Sequence, residues 1–234
     1  MKILGIIGGL GPETTAEFYL ELSFGCYQRN KKKRPGILIW NVPQMYKIEK
    51  EAQIKAKGEE RYIPLLIESA KKLEKAGVDF LVMPCNTLHI FIKEIRNSVN
   101  IPVLSIVEET IKFLKSKKIS RIGILATPSI IKNKLYEKAL KKEGIEQIIP
   151  DGFDQAKIGK IINNIVLNRY ANKDRKKLLE ILKKFEKKNV KNVILACTDL
   201  QLLIPDYPNL EIYDTMKIFA DATVNYILKS NSTV

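Results

Sequence analysis

Apolar residues along this chain fall into two kinds of run. The first kind is short and nearly continuous, as in Ile3-Leu4-Gly5-Ile6-Ile7, Phe80-Leu81-Val82-Met83 and Val193-Ile194-Leu195-Ala196. Strands of a parallel sheet read this way, because helices cover both of their faces. The second kind is longer and mixed, with apolar residues returning every three or four positions among lysines and glutamates, the signature of an amphipathic helix.

Taken in order, the pattern predicts a strand over 2–8, a helix over 12–28 and a strand over 36–42. A polar connection over 43–61 follows, with room for a short helix. Then come a helix over 62–76 stopped by Gly77, a strand over 79–83, a helix over 88–98 and a fourth strand over 101–106. A helix over 107–117 opens a second set of the same elements. Its strands are expected at 121–125, 147–149, 192–195 and 211–214, and its helices at 130–143, 155–168 and 173–188. A last helix over 216–228 is expected to return to the first half. Strands alternating with helices give an α/β fold, here two similar Rossmann-like domains with parallel sheets. The expected division is 1–106 plus 215–234 for the domain carrying Cys85, and 107–214 for the domain carrying Cys197.

Two of the buried runs end alike. Phe80 to Val82 leads into Met83-Pro84-Cys85-Asn86-Thr87, and Val193 to Leu195 leads into Ala196-Cys197-Thr198-Asp199. In open α/β sheets ligands bind beyond the carboxyl ends of the strands, so the two cysteines are candidates to face one another across one cleft. A thiolate on one side of a carbon and a thiol on the other can take a proton from one face and return one to the opposite face. That inverts a stereocentre without a cofactor. The carbanion formed on the way needs donors around its carboxylate, and Asn86, Thr87 and Thr198 stand where such donors are required. A third strand end, Ala126-Thr127-Pro128-Ser129, mirrors the turn Gly8-Gly9-Leu10-Gly11-Pro12-Glu13-Thr14-Thr15 after the first strand. That glycine turn suits either a close ligand approach or simply a tight passage from strand to helix. It lacks the spacing of a dinucleotide fingerprint, and the second strand ends without the ribose-binding acid, so NAD is rejected.

Composition narrows the alternatives. The chain has 234 residues, a net charge of +14, three cysteines and a single histidine, His89. Three cysteines without C-x-x-C spacing argue against a disulfide framework and a structural zinc site. Cys26, on a helix without polar neighbours of the same kind, reads as a core residue. His89 reads equally as an orienting group or a packed one. The lysines are spread along helices beside glutamates and describe a solvated surface, so neither nucleic acid nor membrane is expected as a partner. No apolar stretch reaches the length of a membrane span, and the N-terminus lacks the features of a secretory signal. A cytoplasmic location is the expectation.

Together the Gly8–Thr15 turn, Met83-Pro84-Cys85-Asn86-Thr87-Leu88-His89 and Ala196-Cys197-Thr198-Asp199 resemble the aspartate/glutamate racemase family over essentially the whole chain. The resemblance implies a cofactor-independent isomerase with its site at the domain interface, an amino-acid substrate, and commonly a homodimer. It makes Cys85 and Cys197 the paired acid and base. It assigns Gly11, Asn86, Thr87, Thr127 and Thr198 to substrate binding. The chain also departs from the family pattern. The usual Gly-Cys-Thr-Glu is Ala196-Cys197-Thr198-Asp199, and Thr127-Pro128-Ser129-Ile130 stands for Thr-x-Gly-Thr. Aspartate racemases grip the side-chain carboxylate with an arginine and a lysine, and here Ile48 and Val166 fall near those places, leaving Lys47 as the substitute cation. Aspartate or glutamate is the family default, and a less acidic side chain fits these departures. Two other readings keep the fold: maleate isomerisation or arylmalonate decarboxylation, and an inactive binding protein using its basic surface.

Overall fold

The structure, a computed structural model, describes residues 1–229, and the side chains of all of these except 49 and 52–55. The chain divides into two compact units. The first comprises Met1–Gln44, Glu60–Glu109 and the chain from Met216 onward; the second comprises Met45–Glu59 and Thr110–Thr215.

The first unit holds a parallel sheet of β1 (Leu4–Gly8), β2 (Ile37–Asn41) and β3 (Phe80–Val82) in the order β2-β1-β3. β1 is fully buried along its length. Its register sets Ile6 beside Ile39 on one side and Val82 on the other. α1 (Pro12–Asn30) links β1 to β2, and its first helical position is a proline, whose missing N–H costs nothing there. α3 (Ile63–Lys75) crosses back over β1 to reach β3. Its stop is Gly77, which sits at φ +85 where a side chain is disfavoured. Beyond β3 a 3₁₀ turn (Thr87–Phe91) precedes α4 (Ile92–Ser98). The expected strand over 101–106 reduces to one isolated parallel bridge, Val103 to Leu81. Proline at 102 cannot donate to a ladder, and Ile106 already begins α5 (Ile106–Ser116). The closing helix α10 (Thr215–Leu228) groups with this unit from Met216 on. Phe219 stacks on Phe18 of α1 at 5.6 Å, and Tyr226 tilts against Phe80 at 4.6 Å.

In the second unit, β4 (Arg121–Ala126), β5 (Glu146–Ile148), β6 (Asn192–Ala196) and β7 (Glu211–Asp214) form a parallel sheet in the order β5-β4-β6-β7. The first three strands repeat the order of the other sheet. The helix expected over 130–143 is broken into α6 (Pro128–Lys132) and α7 (Leu135–Lys142), because Lys134 between them takes a left-handed φ of +54. After β5 come α8 (Gly152–Val166) and α9 (Asn172–Lys187). Isoleucines of α8 and leucines of α9 pack with Leu125, Val193 and Leu195 in one cluster that also holds Cys197. The segment over 45–59, expected with the first domain, groups with the second unit. Its helix α2 (Tyr46–Lys55) packs against α6 and α8, and Lys132 of α6 donates to the Ala56 carbonyl at 2.9 Å.

Candidate active site

In each sheet the chain leaves the central strand toward one neighbour and returns to the other. The ends of β1 and β3, and those of β4 and β6, are therefore switch points where adjacent loops part and leave a crevice. Within the first unit this brings the Gly8–Thr15 turn beside Cys85-Asn86-Thr87. Within the second it brings Thr127 beside Cys197-Thr198, one step beyond the paired Ala126 and Ala196.

The glycine turn is tightly built. Gly9 has φ +80, and a Cβ there would meet Asn41 Oδ1 at 2.5 Å. Its N–H donates to Thr15 Oγ1 at 3.0 Å, while that hydroxyl donates to the Gly11 carbonyl at 2.9 Å. Gln44 Nε2 donates to the Gly9 carbonyl, and Tyr62 donates to Gln44 Oε1 at 2.7 Å. Gly11 stands as the cap residue before α1.

Around Cys85 the polar residues are deeply buried. Asn86 and His89 are each 1% exposed, and Cys85 itself is 8% exposed. His89 settles which of its two readings holds for its ring. Nε2 accepts the Ile106 N–H at 3.1 Å, so the proton lies on Nδ1, which donates to the Cys85 carbonyl at 2.7 Å. Both nitrogens are committed to backbone. Burial drives the imidazole pKa down to about 4, with the bond to Cys85 opposing. A neutral ring thus fixes the peptide that carries the thiol.

Cys197 is held differently. Its Sγ donates to Asp199 Oδ2 at 3.7 Å, at the buried start of the turn Thr198–Leu202. Thr198 and Thr127 are also buried. Thr127 caps α6, its hydroxyl accepting the Ile130 N–H at 3.4 Å. α8 packs against the Thr198–Leu202 turn and against α2. The second unit's strand ends are thus flanked by both segments where the resemblance seeks the side-chain grip. Ile48 on α2 is buried, Val166 closes α8 half-buried, and Lys47 is exposed.

The sequence reading did not assign a role to Asp199, although an acid two residues beyond a cysteine is a short-range signal. It could not have found Gln155, near the start of α8, whose Nε2 donates to the Ala126 carbonyl at 2.9 Å. Cys26 is wholly buried in α1, as expected of a core residue. Among the described residues no cluster of three or more His, Cys, Asp or Glu could hold a metal ion, and no helix is long and apolar enough to cross a membrane.

Two parallel sheets flanked by helices, each with a cysteine turn after its third strand, define an α/β protein of two similar halves. Residues 7–223 match the Asp/Glu/Hydantoin racemase family, and the chain belongs to it. Its homologues are named as amino-acid racemases, which are isomerases. The broad specificity amino-acid racemase RacX of Bacillus subtilis (strain 168) is 29% identical over 237 residues, covering 98% of this chain and 100% of that protein. The glutamate racemase of Aquifex aeolicus (strain VF5) is 29% identical over 70% of this chain and 65% of its own length. Among solved structures, an aspartate racemase homologue from Pyrococcus horikoshii OT3 superposes with a TM-score of 0.76. It is 26% identical, with 98% of this chain and 100% of that one covered.

Proposed function

We propose that the protein racemises a free amino acid by two-base proton transfer between Cys85 and Cys197, with no added cofactor. The observation that carries this reading is the matched placement of the two cysteines: each follows the third strand of its unit, at the switch point beside the central strand.

One cysteine, as thiolate, takes the α-proton and becomes a thiol. The electron pair left on carbon spreads into the substrate carboxylate. The other cysteine then delivers its S–H proton to the opposite face and becomes the thiolate, so the two exchange protonation states in each turnover. Buried Asn86, Thr127 and Thr198, with Thr87 and the Gly11 turn, are the groups that would hold the carboxylate and ammonium and stabilise the charge as it develops. The basic surface of the chain favours approach of anionic groups from solution.

The side chain accepted is a separate matter. Ile48 and Val166 offer no charge to a second carboxylate, and an unpaired buried carboxylate is costly enough to exclude a substrate. A pocket lacking the family's arginine and lysine favours a side chain that is not acidic. Lys47, exposed on α2, is the substitute available if an acidic one is taken, although a lysine lacks the bidentate geometry of arginine. The test is loss of optical rotation from each single-enantiomer amino acid, using purified protein without additives. Racemisation of one or more supports the reading, and none across the whole set contradicts it.

A further inference from the structure

The glycine turn of the first unit is gripped from outside its own motif. β2 runs parallel to β1 with Asn41 beside Gly8, and the Val42 N–H continues that ladder by donating to the Gly8 carbonyl at 2.9 Å. Gln44 therefore arrives next to the turn, although it lies 35 positions from Gly9. Its amide is held at both ends. Nε2 donates to the Gly9 carbonyl at 2.9 Å, and Oε1 accepts from the Tyr62 hydroxyl at 2.7 Å. Tyr62 is 3% exposed, so that donor stands on a packed ring. Gln44 is the last residue before the excursion over 45–59, and Tyr62 follows the chain's return to the first unit at Glu60. One hydrogen bond thus closes the neck of the excursion and ties it to the turn.

The gripped carbonyl matters for the other side of its peptide. The link between Gly9 and Leu10 is trans, and a trans peptide is planar with its C=O and N–H opposed. Fixing the Gly9 carbonyl therefore also aims the Leu10 N–H. Thr15 steadies the preceding peptide by accepting the Gly9 N–H at 3.0 Å. Leu10 and Gly11 are both buried, yet the N–H of neither meets an acceptor among the described residues. Buried backbone donors are almost always paired. These two immediately precede α1, whose dipole favours an anionic group at this end. An incoming carboxylate supplies the missing acceptor.

We propose that Gln44 and Tyr62 are positioning residues: through the Gly9 carbonyl they hold the Leu10 N–H, beside that of Gly11, toward the carboxylate of the substrate. Neither needs to touch the substrate. The inference rests on the racemase reading above, in which charge gathers on that carboxylate as the α-proton leaves. Donors fixed in advance count most at that moment.

The test compares kcat and KM for an accepted amino acid in the native chain, Gln44→Leu, Tyr62→Phe and the double variant. In Gln44→Leu kcat is expected to fall roughly tenfold, less than the 10²–10³ lost when such a donor is deleted outright. Tyr62→Phe, the milder change, should lower it several-fold, and KM should move less than kcat in both. Because the two residues act through one carbonyl, Tyr62→Phe should cost nothing further in the Gln44→Leu background. Near native kcat in Gln44→Leu, or a Tyr62→Phe effect undiminished in the double variant, overturns the proposal.

A second measurement does not depend on turnover: the amide NMR signals of Leu10 and Gly11 are followed as sodium acetate is added. Both should shift saturably in the native chain, and with weaker affinity in Gln44→Leu. No saturable shift in the native chain, or equal affinity in the two proteins, overturns the positioning role whatever is racemised. Weaker affinity in Gln44→Leu with no amino acid racemised upholds that role and contradicts only the racemase reading.

Discussion

The two cysteine turns have the same place in the topology and opposite surroundings. Behind Cys85 a neutral imidazole grips the backbone carbonyl and leaves the thiol to other partners. Beside Cys197 a carboxylate accepts directly from the sulfur. Duplicated architecture thus sets two thiols at corresponding positions, while local side chains make them chemically unequal. Racemisation has an equilibrium constant near one, so kcat/KM must match in the two directions. The inequality is free to appear in the individual kcat and KM values and in the pH response.

The most severe way to break the comparison is to remove either thiol. Cys85→Ala and Cys197→Ala should each lower racemisation by roughly 10²–10⁴-fold, the usual scale of positioned acid–base catalysis. A variant turning over at near native rate would show that its cysteine is not part of the pair.

The next largest effect concerns the first turn and reads as stability. His89 titrates at about 4 when folded and near 6.5 when unfolded. Below pH 6.5 the unfolded chain therefore binds a proton that the folded chain refuses, and stability falls as pH drops toward 4. The difference amounts to about 3 kcal/mol at the acid end. Denaturant midpoints across that range should slope accordingly. In His89→Gln, which cannot titrate, this component of the slope should vanish; an unchanged slope would place the acid sensitivity elsewhere.

A smaller effect sharpens the other turn. Asp199→Asn keeps the size of the side chain and removes its charge, so a drop in kcat/KM of about tenfold is expected from a weakened charge-assisted contact. The pH profile should shift as well, which a purely structural loss would not produce. A drop without any change in profile would reduce Asp199 to a packing residue.

Much of this arrangement was legible because buried parallel strands write themselves as uninterrupted apolar runs. β1, β3, β4 and β6, with the cysteine turns that follow two of them, fall where the sequence places them. What failed was decided by local backbone or by partners distant in sequence. The apolar run over 101–106 looks like a strand, yet Pro102 and the early start of α5 leave it a single bridge. The helix over 130–143 breaks at Lys134, whose left-handed backbone no composition rule announces. The segment over 45–59 has weak periodicity, and its grouping with the second unit comes from packing on α6 and α8. At the site, the roles of His89, Asp199 and Gln155 depend on which atoms meet, and His89 reaches Ile106 across 17 positions.

Whether two thiols serve one carbon from opposite faces is tested most directly by the fate of the α-proton. A single enantiomer of an accepted amino acid is incubated with the enzyme in heavy water, and the reaction is stopped early. Deuterium is then measured separately in the remaining substrate and in the newly formed enantiomer. With one base on each face, the proton removed stays on one sulfur while the other sulfur delivers a deuteron already exchanged from solvent. The product should carry deuterium at the α-carbon from the first turnovers, and the remaining substrate should stay largely protiated. A product that retains the substrate's own proton, or deuterium entering the remaining substrate as fast as it enters the product, would show that one base serves both faces.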